Sequence, residues 1–326
     1  MEESLKNYLT LLLLAIIWGS SFILMKRGLE VFDFMQVASL RIVIAFLSLI
    51  PFLPKAFRNV EKKHLLPITI MAILGNGIPA FLFTKAQTHL DSSLVGILNA
   101  IVPLFTLILG VYFFKSKPSK ANIIGIMIGL FGAVFLTVNN LSSGVVLNIY
   151  VLLVVLATIF YAISVNVIKK YLHDLNASSI TALAFLIIGP FAIIYLFTTD
   201  FTNQLSSHVD GYMALGYIAL LSVLGTSLAV IIFNKLISRS SAIFASSVTY
   251  LIPIVAIFWG VLDGEKITAY HLIGMFIILS GVYLVNKKIR LFCFKDFCLL
   301  STTGTPSTPS CRTWRWFSRR PAGTAR

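Results

Sequence analysis

Acidic residues are scarce in this sequence, with 12 Asp and Glu against 26 Lys and Arg, and charged residues of both signs make up only 12% of the chain. Soluble domains carry about 25% charged residues. With 58% hydrophobic residues, the chain has too little charge to cover a soluble surface. The composition excludes an ordinary soluble globular protein and indicates an integral membrane protein surrounded by a lipid bilayer.

Cysteine is also rare, and its placement excludes two kinds of site. Cys293, Cys298 and Cys311 all follow the last apolar stretch, so neither a disulfide framework nor a paired-cysteine metal site is expected in the membrane part. The five histidines lie singly near the ends of apolar stretches, without the His-Glu-x-x-His spacing of zinc enzymes. We therefore expect no metal and no cofactor, and a membrane-embedded enzyme is the less favoured interpretation.

Ten apolar stretches are long enough to cross a membrane, for which about 20 residues are needed. They lie near residues 7–25, 34–53, 65–84, 92–114, 121–138, 146–168, 177–198, 211–233, 240–262 and 269–286. The predicted fold class is therefore an all-α integral membrane protein with ten transmembrane helices.

The second half of the sequence repeats the first. Residues 74–111 align without a gap on residues 224–261, so that Phe83 falls on Phe233 and Pro103 on Pro253. Residues 1–139 and 146–288 are predicted to form two five-helix repeats. Because five is an odd number, the second repeat would enter the membrane from the opposite side, as in the inverted repeats of many transporters. A channel would instead need a repeated ring of filter residues, which is not seen.

Positive charge is distributed unevenly between the connections. The N-terminus and the connections that follow even-numbered stretches hold 15 Lys and Arg, against 4 in the other connections. Lys and Arg concentrate on the cytoplasmic side, so both termini are predicted to be cytoplasmic, in a multi-pass protein of the cell inner (plasma) membrane. The net charge of +14 is thus interpreted as a topology signal, and no nucleic-acid partner is expected.

Residues 291–326 have a different composition from the rest. From residue 300 onwards they contain five Arg, no Lys and no acidic residue, with Thr, Pro, Ser and Gly making up much of the remainder. We interpret this segment as a disordered basic tail whose composition is compatible with a vector-encoded or read-through extension.

Several motifs in order along the ten stretches resemble the drug/metabolite transporter superfamily, specifically its EamA-type branch of ten-helix transporters. The resemblance covers about residues 8–288 and is carried by Trp18-Gly19-Ser20-Ser21-Phe22, Arg41, the stretches around Pro103 and Pro253, and Gly264-Glu265 followed by Gly274 and Gly281. It implies ten helices around a central cavity that moves metabolites or amphipathic compounds by alternating access. The sequence departs from the family pattern at Lys115-Ser116, where Gly-Glu is usual.

Polar and aromatic residues near the middle of the stretches are candidate substrate-binding residues. Such side chains orient a small ligand in a mostly apolar pocket, although hydrogen bonding between helices is the alternative for any one of them. Pro103 and Pro253 are candidate helix kinks, because proline removes a backbone hydrogen bond. The substrate-binding candidates are Trp18, Ser21, Arg41, Asn76, Asn99, Tyr161, Asn166, Thr226 and Tyr250.

Arg41 is a special candidate, because an ionisable residue within a membrane helix is costly and often functional. The alternative is that its side chain extends to the outer interface. No acidic residue falls in the middle of an apolar stretch, and a proton-coupled exporter of cations usually needs one. The sequence favours a neutral, zwitterionic or anionic metabolite, amino-acid-like, carried by an uncoupled transporter; the alternative is a proton-coupled drug exporter.

Three glycines of the fifth stretch, Gly125, Gly129 and Gly132, form a face of small residues. Such a face brings two helices into close contact, either between two copies of the chain or within one. The sequence leaves both a monomer and a homodimer open.

Overall fold

The computed structural model describes residues 2–90, 92–140, 149–262 and 269–286, which belong to one compact unit. All regular elements in these ranges are helices. Gly264-Glu265, Asp91 and the predicted tail at 291–326 lie outside the described residues. The α-helices are α1 (Glu2–Leu29), α2 (Phe34–Leu49), α3 (Leu53–Asn59), α4 (Lys62–Ile70), α5 (Ile78–Gln87), α6 (Ser92–Asn99), α7 (Val102–Phe114), α8 (Lys120–Asn140), α9 (Ile149–Tyr171), α10 (Ala177–Phe197), α11 (Phe201–Ser207), α12 (Gly211–Leu220), α13 (Ala229–Arg239), α14 (Ala242–Ser246), α15 (Ile252–Leu262) and α16 (Ala269–Asn286).

The predicted all-helical membrane fold is confirmed. Seven helical stretches in the described residues are long and apolar enough to cross a membrane, and two shorter apolar helices, Val102–Phe114 and Lys120–Gly132, accompany them. Each of the ten predicted stretches is mostly helical in its described part, and the stretches 92–114 and 240–262 are interrupted. The number of ten membrane crossings and the sidedness of the termini stay predictions.

Helices of the first half pack on helices of the second half in matched pairs. Helix α1 packs on α15, and α7 packs on α9; α5 packs on α9, and α1 packs on α13. Two further pairs, α2 with α10 and α8 with α16, join helices at equivalent positions of the two halves. This pairing is what a two-fold relation between the halves would produce, and it places a shared interior between them.

The connection between α9 and α10 is fastened to the start of α4 by polar contacts. His64 is buried, its Nδ1 accepts a hydrogen bond from the Glu61 backbone N–H at 3.0 Å, and its Nε2 lies 3.0 Å from a carboxylate oxygen of Asp174. Since Nδ1 is an acceptor, the ring proton of the neutral imidazole sits on Nε2 and is donated to Asp174. Lys63 lies 3.1 Å from the same carboxylate.

The small-residue face of α8 is used within the chain. A Cβ added to Gly129 would lie 2.8 Å from the ring of Tyr250, and one added to Gly281 would lie 2.5 Å from the backbone of Gly129. Helices α8 and α16 therefore approach so closely at Gly129 and Gly281 that only hydrogen atoms fit between them.

Candidate functional site

A cavity between the two halves contains most of the predicted site residues. It encloses about 1030 Å³ of empty space, part of it open to solvent, and its lining is mostly apolar. Seven of the nine predicted substrate-binding residues line it: Trp18, Ser21, Arg41, Asn76, Asn99, Tyr161 and Thr226. A mostly apolar lining with a few polar side chains is typical of a small-molecule site.

Arg41 bridges the halves at this cavity. Its Nε donates a hydrogen bond of 2.7 Å to Oγ1 of Thr226, which lies 185 positions away in the sequence. Among the described residues that line the cavity, Arg41 carries the only charge. The guanidinium thus faces the interior of the molecule and has no carboxylate partner there, so its remaining N–H groups are available to an anionic group of a ligand.

Two π-helical segments form part of the lining, one in each half. Met71–Gly77 joins α4 to α5, and Leu221–Leu228 joins α12 to α13, 150 positions later. In each segment a polar side chain donates to the carbonyl five residues earlier, from Asn76 to Met71 at 3.2 Å and from Thr226 to Leu221 at 3.4 Å. π-Helical turns of this kind often occur at functional sites.

Each π-helical segment is crossed closely by a helix of the other half. A Cβ added to Gly225 would lie 2.6 Å from Oγ of Ser21 in α1, and one added to Gly75 would clash with Oγ of Ser164 in α9. Nε1 of Trp18 also donates to the carbonyl of Gly225 at 2.8 Å. The absence of side chains at Gly75 and Gly225 is therefore what allows these crossings.

Mirrored aromatic pairs lie beside the crossings. The ring of Trp18 meets that of Phe233 edge-on, with centroids 5.0 Å apart, and the ring of Tyr161 stacks on that of Phe83 at 5.6 Å. All four residues line the cavity. They supply the rigid apolar walls against which a ligand's apolar part can pack.

Both predicted kink prolines lie directly after interruptions of helices. Helix α6 ends at Asn99, and α7 begins at Val102, next to Pro103. In the second half, α14 gives way to the 3₁₀ turn Ser247–Tyr250, and α15 begins at Ile252, next to Pro253. Since proline has no N–H, neither proline can donate to the carbonyl four residues earlier, which belongs to Asn99 or Thr249.

Two predicted site residues do not line the cavity. Tyr250 is fully buried, and its hydroxyl donates to the carbonyl of Ile126 at 3.2 Å. Nδ2 of Asn166 donates to the carbonyls of Thr106 and Ala162 at 3.0 Å and 2.9 Å. Both side chains join helices to one another, because each finds a backbone carbonyl as partner on a packed interface.

Other residues line the cavity without having been predicted, among them Thr249, Asn234, Phe83 and Phe233. The repeat itself contained the signal for Thr249, because this residue lies 150 positions after Asn99 and four before Pro253. Tyr250 was one residue away from that position. Asn234 had no comparable signal, since its counterpart in the first half is Thr84.

The chain is similar to several transporters over nearly its whole length. It is 28% identical over 295 residues to the "Uncharacterized inner membrane transporter YedA" of Escherichia coli, covering 86% of this chain and 90% of that protein. It is 24% identical to an "Uncharacterized transporter" of Archaeoglobus fulgidus, with 87% and 100% covered. It is 25% identical to a "Probable amino-acid metabolite efflux pump" of Salmonella typhimurium, with 86% and 95% covered.

A solved crystal structure has a fold similar to that of this chain. It matches with a TM-score of 0.66 at 13% sequence identity, and the match covers 86% of this chain and 96% of the other. The model of the EamA-like transporter family matches twice, over residues 5–138 and 148–287. The chain therefore belongs to the EamA-like transporter family and is a multi-pass membrane transporter.

Proposed function

We propose that this transporter moves small amphipathic, amino-acid-like metabolites across the inner membrane by alternating access, with both termini in the cytoplasm. The observation that carries the proposal is the isolated cation of Arg41 in a cavity with otherwise apolar and neutral polar walls. A fixed cation in such a place attracts a carboxylate, and the aromatic pairs receive an apolar side chain.

Two similarities support the choice of substrate and membrane. One relative carries the name of an amino-acid metabolite efflux pump, and another that of an inner membrane transporter. Transport without a chemical reaction fits a cavity whose lining, within the described residues, combines no nucleophile with a general base.

Proton-driven exchange of cationic drugs is the alternative, and the cavity favours it less. Such a mechanism needs an acidic group that trades a proton for the substrate. The described lining contains no Asp or Glu. Asp33 cannot readily serve, since its carboxylate accepts hydrogen bonds from the backbone N–H groups of Met35 and Gln36 and so caps α2. We therefore propose a facilitator or exchanger.

Replacement of Arg41 tests the proposal in proteoliposomes with radiolabelled phenylalanine. Two competitors differ only in the carboxylate: N-acetylphenylalanine carries it, and N-acetylphenylalaninamide has a neutral amide instead. We expect Arg41→Ala to weaken inhibition by the acid by about tenfold to a hundredfold, the value of a charge-assisted hydrogen bond. Inhibition by the amide should change little.

Arg58→Ala serves as the matched control, because Arg58 lies in the last turn of the short helix α3 and does not line the cavity. It should leave both inhibition constants unchanged. If Arg41→Ala weakened inhibition by the acid and by the amide equally, or if the wild-type protein transported no phenylalanine, the proposed carboxylate site would be wrong.

A further inference from the structure

The two helix interruptions contain an acceptor group that the proposed carboxylate site leaves unused. Asn99 lines the cavity and is only 7% exposed. Within the described residues, its amide oxygen is buried and accepts no hydrogen bond. A buried amide oxygen without a hydrogen-bond donor destabilises the folded protein. A side chain kept in this state beside a cavity indicates a partner that arrives with the ligand.

The backbone carbonyl of Asn99 also lacks its usual hydrogen-bond donor. The carbonyl of Asn99 has lost its usual helical partner, because that partner would be the N–H of Pro103. Thr249 stands at the equivalent place before Pro253, is 6% exposed and also lines the cavity. Its hydroxyl donates to the carbonyl of Ser246 at 3.0 Å, which leaves the hydroxyl oxygen as an acceptor.

The two interruptions lie against each other in the fold. Helix α6 packs on the 3₁₀ turn Ser247–Tyr250, and Ala100 and Tyr250 belong to one buried cluster. Asn99 and Thr249, which carry these acceptors, therefore lie on elements of the two halves that pack on each other and line the same cavity. Uncharged acceptors at broken helices are suited to a positively charged or N–H-rich group.

We propose that Asn99, assisted by Thr249, is the residue that selects substrates bearing an ammonium group. This inference rests on the proposed function, in which Arg41 holds the carboxylate of the same substrate. The acceptors carry dipoles rather than a negative charge. A free amine would therefore meet the uncompensated charge of Arg41 without a carboxylate of its own, and would bind poorly. A zwitterion satisfies both places and brings no net charge into the membrane.

Three ligands with one carbon skeleton separate the two places. Phenylalanine has both charged groups, 3-phenylpropanoate lacks the amine, and phenethylamine lacks the carboxylate. They are compared as inhibitors of labelled phenylalanine uptake into proteoliposomes, since inhibition does not require the analogues themselves to be retained. In the wild-type protein we expect phenylalanine to inhibit about tenfold better than 3-phenylpropanoate, as loss of one partner of a polar contact predicts.

The decisive variants are Asn99→Leu and Asn99→Asp. Asn99→Leu should weaken inhibition by phenylalanine about tenfold and leave inhibition by 3-phenylpropanoate unchanged, so that the preference for phenylalanine disappears. Asn99→Asp adds the missing negative charge and should let phenethylamine inhibit. Thr106→Val is the control, because Thr106 lies on the following helix α7, is buried, bonds to the Val102 carbonyl and does not line the cavity.

The outcomes separate this inference from the proposed function. Loss of the preference in Asn99→Leu with the control unchanged supports the inference. An unchanged preference in Asn99→Leu, or an equal loss in Thr106→Val, overturns it even if Arg41→Ala behaves as expected. If Asn99→Leu does not fold, Asn99→Asp decides, because failure of phenethylamine to inhibit that variant overturns the inference. Absence of phenylalanine uptake by the wild-type protein would overturn the proposed function and the inference together.

Discussion

Gly225 has no side chain because Ser21 of α1 occupies the space that a side chain would fill. Gly225→Ala should lower the free energy of unfolding by about 1–3 kcal/mol, the usual cost of overpacking a close contact. Ser21→Ala removes the atom that lies 2.6 Å from the new Cβ, while Cβ of Ser21 remains 3.7 Å away. The double variant should therefore recover much of the loss in a thermal unfolding assay in detergent.

The control is Gly216→Ala, since a Cβ at Gly216 would meet nothing within 4 Å. It should be neutral or stabilising. A double variant as unstable as Gly225→Ala alone would mean that the contact with Ser21 does not determine the residue at this position.

Asp174 should make the stability of the protein depend on pH. The hydrogen bond from His64 and the contact with Lys63 lower the pKa of the Asp174 carboxyl from its ordinary value of 3.8 to about 2. Since the pKa in the folded protein is the lower one, the stabilising contribution is complete above about pH 4 and is lost as the pH falls towards about 2. Asp174→Ala should therefore flatten the pH dependence of the unfolding temperature in this window.

Asp210→Ala is the matched control for this measurement. Asp210 precedes α12 but makes no side-chain capping bond, and its removal should leave the pH dependence as in the wild-type protein. The effect should be small, because the Asp174 carboxylate is partly exposed and solvent screens its contacts. If the unfolding temperature of Asp174→Ala depended on pH as steeply as that of the wild-type protein, the role given to this carboxylate would be wrong.

At the level of single residues, the sequence predicted how deep a residue lies along its helix better than it predicted which side of the helix its side chain is on. Trp18, Asn76 and Thr226 were identified by their depth in apolar stretches, and the repeat placed them symmetrically. Tyr250 and Thr249 have nearly the same depth, but successive residues of a 3₁₀ turn point about 120° apart. Which of the two reaches the cavity depends on the packing of Tyr250 against Gly129, and this contact is invisible in a single sequence.

At the level of elements, the C-terminus of α7 carries a strained residue. Lys115 has φ 54° and ψ 32° and is the only non-glycine residue with positive φ in the described chain. The N–H groups of Lys115 and Ser116 both donate to the carbonyl of Gly110, as a left-handed helix end requires. This conformation gives a physical reason for the glycine that the family pattern has near this position.

Lys115→Gly should raise the free energy of unfolding by about 0.5–1 kcal/mol, since relief of the left-handed strain exceeds the added entropy of the unfolded chain. Lys117→Gly is the control. Its backbone does not have positive φ, so the same substitution should be neutral or destabilising. The comparison uses thermal unfolding in detergent, and destabilisation by Lys115→Gly would contradict the explanation.

The helices themselves were predictable from apolar length, but the π-helical segments were not. The stretches 65–84 and 211–233 were predicted as continuous spans, and nothing in their apolar pattern distinguishes an α-helical from a π-helical turn. The π-helical turns coincide with the close crossings at Gly75 and Gly225 and with side-chain bonds from Asn76 and Thr226 to carbonyls five residues earlier. The interruptions before Pro103 and Pro253 were predictable, because proline lacks the N–H of a helical hydrogen bond.

At the level of the whole molecule, the lining predicts how transport responds to protons. Because no acidic residue lines the described cavity, flux of phenylalanine down its own gradient should persist when the pH gradient across the proteoliposome membrane is collapsed with an ionophore. Uptake with and without the ionophore checks this. Dependence of flux on an inward proton gradient would show that an acidic residue from a connection enters the path, and the uncoupled mechanism would be wrong.

The π-helical segments have a consequence for how the two halves are encoded. A π-helical turn contains about one residue more than an α-helical turn. Each half therefore carries the equivalent of a one-residue insertion at the same point, between α4 and α5 in the first half and between α12 and α13 in the second. Removing that residue from the reading frame would let the segment wind as an α-helix and would rotate the following helix by about 100°. Phe83 and Phe233 would then turn away from Tyr161 and Trp18. The shape of the cavity thus depends on a single codon in each half of the gene.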